Sequence, residues 1–291
     1  MTGTKARATL ERLRGLAAAP DEQVAYALRL LDRERNVEVL RAALDLLAAR
    51  ADPALRPAFL RRYAHHDQDG TRRDPGGTLR IAFLHALRPL ARPEDAALCE
   101  RAATTYEFLY GEATGDLRGA GLLVLNEVDD ALAGYHAVRL LADRYTSPLS
   151  GEPALTAVRV LAAQGQLLPL YAYVTGAEQG VGDVVAESLR SLTAVPASLL
   201  PALVERYRES EDEIVLLGLF DLLLAHAARD EYMAFVLDFL RATALLNIYR
   251  YLVSVLVAGR EASLIAALET MAEEEPNRDK AAILRDALAL R

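Results

Sequence analysis

The chain has 291 residues, of which 52% are hydrophobic and 25% charged, so it can bury a continuous core and is not intrinsically disordered. Its net charge of −8 is uneven: residues 1–92 carry 17 basic and 11 acidic side chains, whereas residues 93–291 carry 16 and 30. A single cysteine excludes an internal disulfide, and no apolar run follows Met1 as a signal peptide would require, so we expect a cytoplasmic protein.

Amphipathic helical segments restart along the chain at intervals of 28 to 42 residues. The restarts fall near Asn36, Asp74, Asp116, Gly151, Asp183, Glu211 and Thr243. A period of this length, built from helix pairs, is typical of an α-solenoid. We therefore predict one elongated domain over residues 1–291, with an N-terminal capping hairpin at 1–35, repeats over 36–275 and a C-terminal capping helix at 276–291.

The helical pattern can be followed in chain order. Leu10, Leu13, Leu16 and Val24 fit the capping hairpin, and the next segment has apolar residues at helical spacing at Val37, Leu40, Leu44 and Leu47. Equivalent stripes recur later, and Pro or Gly separates the segments, which gives 16 or 17 helices in about eight hairpins. No β-branched run of alternating polarity occurs, so we expect no sheet. The most apolar stretches, 214–228 and 242–258, are broken by Asp221 and Arg250, so no membrane span is expected.

Two connections are longer than a helical hairpin needs, residues 64–77 and residues 145–153. The first is polar and lies beside four arginines whose guanidinium groups suit phosphates or carboxylates: Arg61, Arg62, Arg72 and Arg73. It also contains His65 to Gly70, which has part of the spacing of a calcium loop but lacks the closing Glu. We therefore expect no metal and no cofactor here. Solvated charge remains the alternative interpretation of the arginines.

Tyrosine is the prevalent aromatic residue, with 12 Tyr, 6 Phe and no Trp. Several tyrosines fall late in the second helix of successive hairpins, and we predict that five of them bind a partner: Tyr106, Tyr110, Tyr145, Tyr171 and Tyr207. Tyrosine offers a large contact area at low entropic cost. The alternative is that these rings pack between repeats with their hydroxyl groups at the rim.

Three segments share a common pattern, with an acidic residue or Gly before a helix and then Leu, Arg and Ala. They are Asp74-Pro75-x-x-x-Leu79-Arg80-x-Ala82, Asp116-Leu117-Arg118-x-Ala120 and Gly151-Glu152-Pro153-Ala154-Leu155-x-Ala157-Val158-Arg159. This pattern resembles the first helix of HEAT repeats, most closely the short bacterial type first noted in phycobilisome lyases. The resemblance covers about residues 36–275. It implies an all-α, right-handed α-α superhelix in which the arginines bridge neighbouring repeats and the second helices line the concave side.

For function, the sequence favours a non-catalytic scaffold or adaptor that binds a protein on its concave face. It has no Gly-rich phosphate loop, no nucleophile elbow and no cysteine cluster, so we predict that the chain is not an enzyme. A second hypothesis is a nucleic-acid-binding protein that uses the basic N-terminal third. A remote third is an enzyme similar to the HEAT-like DNA glycosylases or the chromophore lyases, which predicts a polar pocket containing carboxyl groups of shifted pKa. The partner's identity and the oligomeric state stay open.

Overall fold

The computed structural model describes residues 2–109, 112–176 and 180–290. The chain forms two compact units, Met1–Gln166 and Leu167–Arg291. Both are built from α-helices packed around buried aliphatic side chains. An all-α protein was predicted, and the described residues confirm it. The arrangement of these helices as one solenoid of eight hairpins stays a prediction.

The described residues of the first unit form ten α-helices, five 3₁₀ helices and two short strands. The α-helices are α1 (Thr2–Gly15), α2 (Pro20–Arg33), α3 (Val37–Ala48), α4 (Arg56–Asp67), α5 (Gly70–Arg73), α6 (Thr78–Leu87), α7 (Ala96–Ala103), α8 (Gly115–Val128), α9 (Asp130–Leu141) and α10 (Ala154–Ala163). The 3₁₀ helices are Leu16–Ala18, Pro53–Leu55, Pro75–Gly77, Arg88–Leu90 and Pro93–Asp95, and the strands are β1 (Phe108–Leu109) and β2 (Glu112–Ala113).

In the second unit, the part of the chain that the structure describes forms eight α-helices and one 3₁₀ helix, Ala197–Leu199. The α-helices are α11 (Leu167–Gly176), α12 (Gly182–Ser191), α13 (Leu200–Tyr207), α14 (Glu213–Ala225), α15 (Arg229–Ala242), α16 (Leu246–Ala258), α17 (Ala262–Glu274) and α18 (Arg278–Leu288). The described residues thus form eighteen α-helices, close to the 16 or 17 predicted. The four-residue helix α5 is too short to produce a periodic pattern, so sequence periodicity did not predict it.

Alternate helices form two layers within each unit. In the first unit α1, α3, α6, α8 and α10 lie side by side as a first layer, and α2, α4, α7 and α9 pack against them as a second layer. In the second unit α12, α14, α16 and α18 form the first layer, and α11, α13, α15 and α17 the second. Each first-layer helix therefore contacts helices on several sides, which explains why nine of the 14 residues of α8 and seven of the 13 residues of α14 are buried.

The helices begin where local capping chemistry predicts. Asn36 Oδ1 accepts a hydrogen bond from Val39 N at 3.1 Å at the start of α3, and Asp212 caps α14 in the same way. Within α3 the predicted stripe is buried at Leu40, Leu44 and Leu47, whereas Val37 is 44% exposed because it is the first residue of the helix. The periodicity therefore identified the buried face correctly except at the helix end.

The predicted linker over residues 64–77 is wrong, because most of this segment is helical. It includes the end of α4, the turn α5 and a 3₁₀ helix. The segment folds against Arg80, whose fully buried guanidinium donates from Nε to Asp74 at 3.3 Å and from Nη1 to Glu107 at 2.8 Å. A Cβ on Gly70 would overlap Arg80 Nη1, so the backbone there approaches the guanidinium closely. The polar residues of this segment therefore serve an internal ion-pair network. The second predicted linker is confirmed, since no helix lies between α9 and α10.

The expectation of no sheet needs a small correction. Among the described residues, β1 and β2 pair antiparallel, with Phe108 opposite Ala113 and Leu109 opposite Glu112. Two residues per strand are too few to leave an alternating pattern in the sequence, which is why the pairing was missed. Across the described helices, none combines the length and the apolar character that a bilayer crossing demands.

Candidate functional site

Two of the tyrosines predicted to bind a partner come together on the first unit. Tyr106 follows α7 and Tyr145 follows α9, and their ring centroids are 5.9 Å apart. Phe108 of β1 joins them, with its ring centroid 5.2 Å from that of Tyr145. Phe108 is 54% exposed and Tyr106 is 38% exposed. The structure thus places three aromatic rings at one point on the surface.

A buried ion pair fixes these rings from below. Arg118 of α8 is fully buried, and its Nε lies 3.1 Å from Asp143 Oδ2. Its Cζ is 4.1 Å from the centroid of the Tyr106 ring, which is cation–π geometry. The Tyr106 hydroxyl donates to Asp143 Oδ2 at 2.8 Å, and Tyr145 N donates to Asp143 Oδ1 at 2.8 Å. One carboxylate therefore positions both tyrosines and one guanidinium.

The charge state of this site follows from its burial. Burial, and then the hydrogen bond to Asp143, raises the pKa of the Tyr106 phenol above its usual value. Burial lowers the pKa of the Arg118 guanidinium, although the charge of Asp143 opposes that shift. The Tyr106 phenol is therefore protonated and donates its hydrogen bond near neutral pH. Arg118 and Asp143 form an ion pair beside it.

Two arginines complete the rim. Arg139 of α9 donates from Nη2 to Ala103 O at 2.9 Å and from Nη1 to the Tyr106 hydroxyl at 3.3 Å. Arg144 is exposed, and its Cζ lies 4.6 Å from the centroid of the Tyr145 ring. The rings and arginines surround a depression of about 540 Å³, here called the aromatic pocket, defined by Tyr106, Phe108, Arg139, Asp143, Arg144 and Tyr145.

The composition of the aromatic pocket suits binding. Aromatic rings stacked beside guanidinium groups accept an apolar side chain together with an anionic group. The carboxylate of the pocket, Asp143, is already occupied by Arg118, Tyr106 and a backbone N–H. It therefore acts as a positioning group.

A buried arginine paired with a carboxylate also occurs one hairpin earlier. Arg80 of α6 and Arg118 of α8 are both fully buried, and each binds a carboxylate that follows the next second-layer helix, Glu107 after α7 and Asp143 after α9. The third motif departs from this pattern, because Arg159 is exposed on α10. The two buried arginines thus connect α6 to the segment after α7, and α8 to the segment after α9.

The remaining predicted tyrosines do not belong to this cluster. Tyr110 lies outside the described residues. Tyr171 on α11 and Tyr207 on α13 belong to the second unit, and the Tyr207 hydroxyl donates to Val174 O at 2.6 Å, which ties α13 to α11. For Tyr207 this contact matches the alternative interpretation, in which the ring packs between helices.

The predicted arginines make contacts within α4 and α5. Arg73 Nη1 donates to His65 O at 2.7 Å and to Gln68 Oε1 at 2.9 Å, and Arg72 lies 3.6 Å from Asp69. Burial lowers the pKa of the half-buried Arg62, and Arg61 is exposed. Each of these contacts is local, and a shared clamp for an anion stays a prediction.

Sequence reasoning missed Phe108, Arg139 and Arg144. The segment from Tyr106 to Tyr110 reads YEFLY, and this density of aromatic residues after a second helix was a usable signal for Phe108. Comparison with known proteins adds no further guidance. No family model matches the sequence, and no curated protein matches it either.

Proposed function

We propose that this chain is a non-catalytic interaction protein of the HEAT-like type, and that it binds a segment of a partner protein at the aromatic pocket. The observation that carries the proposal is the aromatic group of exposed Tyr106 and Phe108 with half-buried Tyr145, whose two tyrosines the buried Arg118–Asp143 pair holds in place. Aromatic residues and arginine are enriched where protein interfaces derive most of their affinity. Rings that are already fixed lose little entropy when a partner binds.

The chemistry of the rim defines the partner segment. Phe108 and Tyr145 offer ring faces and edges to an apolar side chain, and Arg139 and Arg144 offer guanidinium donors to a carboxylate. A segment with Asp or Glu beside Leu or an aromatic residue satisfies both. The acidic charge of residues 93–291 as a whole gives no attraction for such a segment, so the two arginines must provide it locally.

The experiment is a selection from a random-peptide display library on the immobilised full chain, followed by affinity measurements on the enriched peptides. We expect peptides with an acidic residue next to an apolar one. We expect Phe108→Ala and Arg144→Glu each to weaken binding about tenfold or more, because each removes a central contact. Neither substitution alters the Arg118–Asp143 pair, so the fold should be preserved.

Tyr135 provides the matched control. It lies on α9, the helix that carries Arg139, and is 79% exposed. Tyr135→Ala removes an exposed ring of the same kind outside the pocket and should leave peptide affinity unchanged. The proposal fails if the Phe108→Ala and Arg144→Glu variants enrich the same peptides with the same affinity as the unmodified chain.

The nucleic-acid hypothesis draws support from the excess of basic residues in residues 1–92. Arg72 is 84% exposed in its side chain and is its best-placed contact. That hypothesis requires retention of DNA or RNA in an electrophoretic shift assay at low salt, a steep loss with rising salt, and collapse in Arg72→Glu with Arg73→Glu. Under the protein-binding proposal, no retention is expected.

A further inference from the structure

A second concave site lies on the open face of the first layer in the first unit. Residues of α3, α6, α8 and the α10 segment surround a groove of about 540 Å³, here called the first-layer groove. Its polar residues include Arg41, His85, Asp116, Glu152, Thr156 and Arg159. A volume of this size is within the range of small-molecule sites. The remote enzymatic hypothesis predicted a polar pocket with a shifted carboxyl group, and this groove has that composition.

The groove residues occur at equivalent positions of successive repeats. Asp116 on α8 corresponds to Glu152 just before α10, and both line the groove. One turn and two turns further along α10 come Thr156 and then Arg159. The groove therefore has a carboxylate row formed by Asp116 and Glu152, and basic side chains to its sides.

Glu152 is held in a seat formed by two glycines of α8, with Gly119 against its carboxylate and Gly115 against its backbone carbonyl. A Cβ on Gly119 would lie 2.6 Å from Glu152 Oε2, and a Cβ on Gly115 would lie 2.5 Å from Glu152 O. Glu152 Oε2 accepts from Thr156 N at 3.3 Å. Because any larger residue at position 115 or 119 would displace Glu152, the local sequence keeps this carboxylate against the α8 backbone, at the wall of the groove.

The surroundings of Glu152 disfavour its ionised form. Burial raises the pKa of Glu152, the neighbouring charge of Asp116 raises it further, and Thr156 and Arg159 oppose the shift. Asp116 Oδ1 accepts from Ser150 Oγ at 3.2 Å. The two carboxylates thus share one wall of the groove, that of Glu152 partly buried and that of Asp116 exposed.

We propose that the first-layer groove binds a ligand through a single cationic nitrogen group, an alkylammonium or a guanidinium, placed between Asp116 and Glu152. Either group presents several N–H donors, which two carboxylates can accept together. Arg41 and Arg159 at the sides disfavour a polycation and favour a ligand whose remaining part is neutral or acidic. This site uses no residue of the aromatic pocket, and the two sites are independent.

The test is isothermal titration calorimetry on the full chain with named probes. Free L-arginine and L-lysine represent a small-molecule ligand, and N-acetylated, C-amidated arginine and lysine represent a basic side chain of a peptide. Spermidine tests the exclusion of polycations. We expect binding of at least one of these two pairs, the tighter pair identifying the source of the cation, and weaker binding of spermidine.

The variants are Glu152→Gln and Asp116→Asn, which keep the shape and remove one charge. We expect each to weaken binding about tenfold or more, because a charged hydrogen bond is lost. Gly119→Ala keeps both charges but displaces the carboxylate, and should weaken binding as well; if this variant does not fold, Glu152→Gln decides. Glu209→Gln, whose side chain is 83% exposed in the second unit, is the control and should bind normally.

Measuring the protons released on binding distinguishes a direct contact between the ligand cation and Glu152 from a general effect of charge. Since a bound cation favours ionised Glu152, binding at mildly acidic pH should release protons, seen as different apparent enthalpies in buffers of different ionisation enthalpy. Glu152→Gln should abolish this release. The proposal is overturned if no probe binds, if Glu152→Gln binds as tightly as the unmodified chain, if spermidine binds most tightly, or if proton release persists in Glu152→Gln.

Discussion

Replacing Asp143 with Ala tests the ion pair beneath the aromatic pocket. The side chains of Arg118 and Asp143 are 0% and 2% exposed, and Nε lies 3.1 Å from Oδ2. Removing the carboxylate leaves a buried guanidinium without its counter-charge, which costs about 3–5 kcal/mol. The lost hydrogen bond from Tyr106 adds about 1 kcal/mol. At about 2–4 °C per kcal/mol, we expect the melting temperature to fall by roughly 8–24 °C.

The assay is thermal unfolding of the full chain followed by far-ultraviolet circular dichroism. The double variant Arg118→Met with Asp143→Leu removes both charges, and we expect it to recover most of the loss, since buried ion pairs replaced by apolar residues are often neutral. Glu11→Ala breaks the exposed pair with Arg7 and should move the midpoint by about 1 °C or less. The reasoning is refuted if Asp143→Ala melts with the unmodified chain, or if the double variant is as unstable as the single one.

Three further outcomes are expected. Gly218→Ala should destabilise the chain by about 1–3 kcal/mol in urea unfolding, because its Cβ would lie 2.6 Å from Ala186 Cα where α14 meets α12. The control is Gly15→Ala: a Cβ on Gly15 would have no atom within 4 Å, so this substitution should not destabilise the chain. Burial raises the pKa of the Cys99 thiol to about 12, so an aromatic disulfide reagent should label it only on unfolding, and rapid labelling of the folded chain would contradict this. The raised pKa of Glu152 means that its neutral form favours folding; this contribution is complete below the unfolded pKa near 4.5 and is lost as pH rises through the folded value. Glu152→Gln should therefore be more stable than the unmodified chain at pH 7 and equal to it near pH 4; lower stability at pH 7 would count against the assignment.

Sequence periodicity predicted the helices well because the buried face of a helix is formed by residues three and four positions apart in one short segment. The stripe of Leu40, Leu44 and Leu47 and the cap at Asn36 are properties of one short segment, and they suffice to define α3.

Buried charge could not be predicted in this way. Periodicity alone does not distinguish Arg80 and Arg118 from solvated helix residues. The HEAT-like pattern implies bridging arginines, but it does not identify their partners, Glu107 and Asp143, which lie 25 or more residues away. The sequence predicts a linker over residues 64–77 because the segment is polar and longer than a helical hairpin needs, and the pairing of Asp74 with Arg80 is evident only in the folded chain. Tyr106 and Tyr145 were each predicted to bind a partner, whereas their contact with each other, the position of Phe108 and the carboxylate row of the first-layer groove depend on how neighbouring repeats align in space.

The glycines of α8 have a consequence for how this protein can vary. Gly115 and Gly119 face the seat of Glu152, and on another side a Cβ on Gly121 would lie 2.6 Å from Ala103 N of α7. A larger side chain therefore has room on the face that carries Asp116 and Leu123 and in the exposed last turn around Glu127. In a lineage of such chains, substitutions should accumulate on the exposed faces of the second-layer helices, while α8 changes where it borders the groove and in its last turn. Neutral substitutions on α8 and substitutions that alter the groove are thus restricted to the same few positions of this helix.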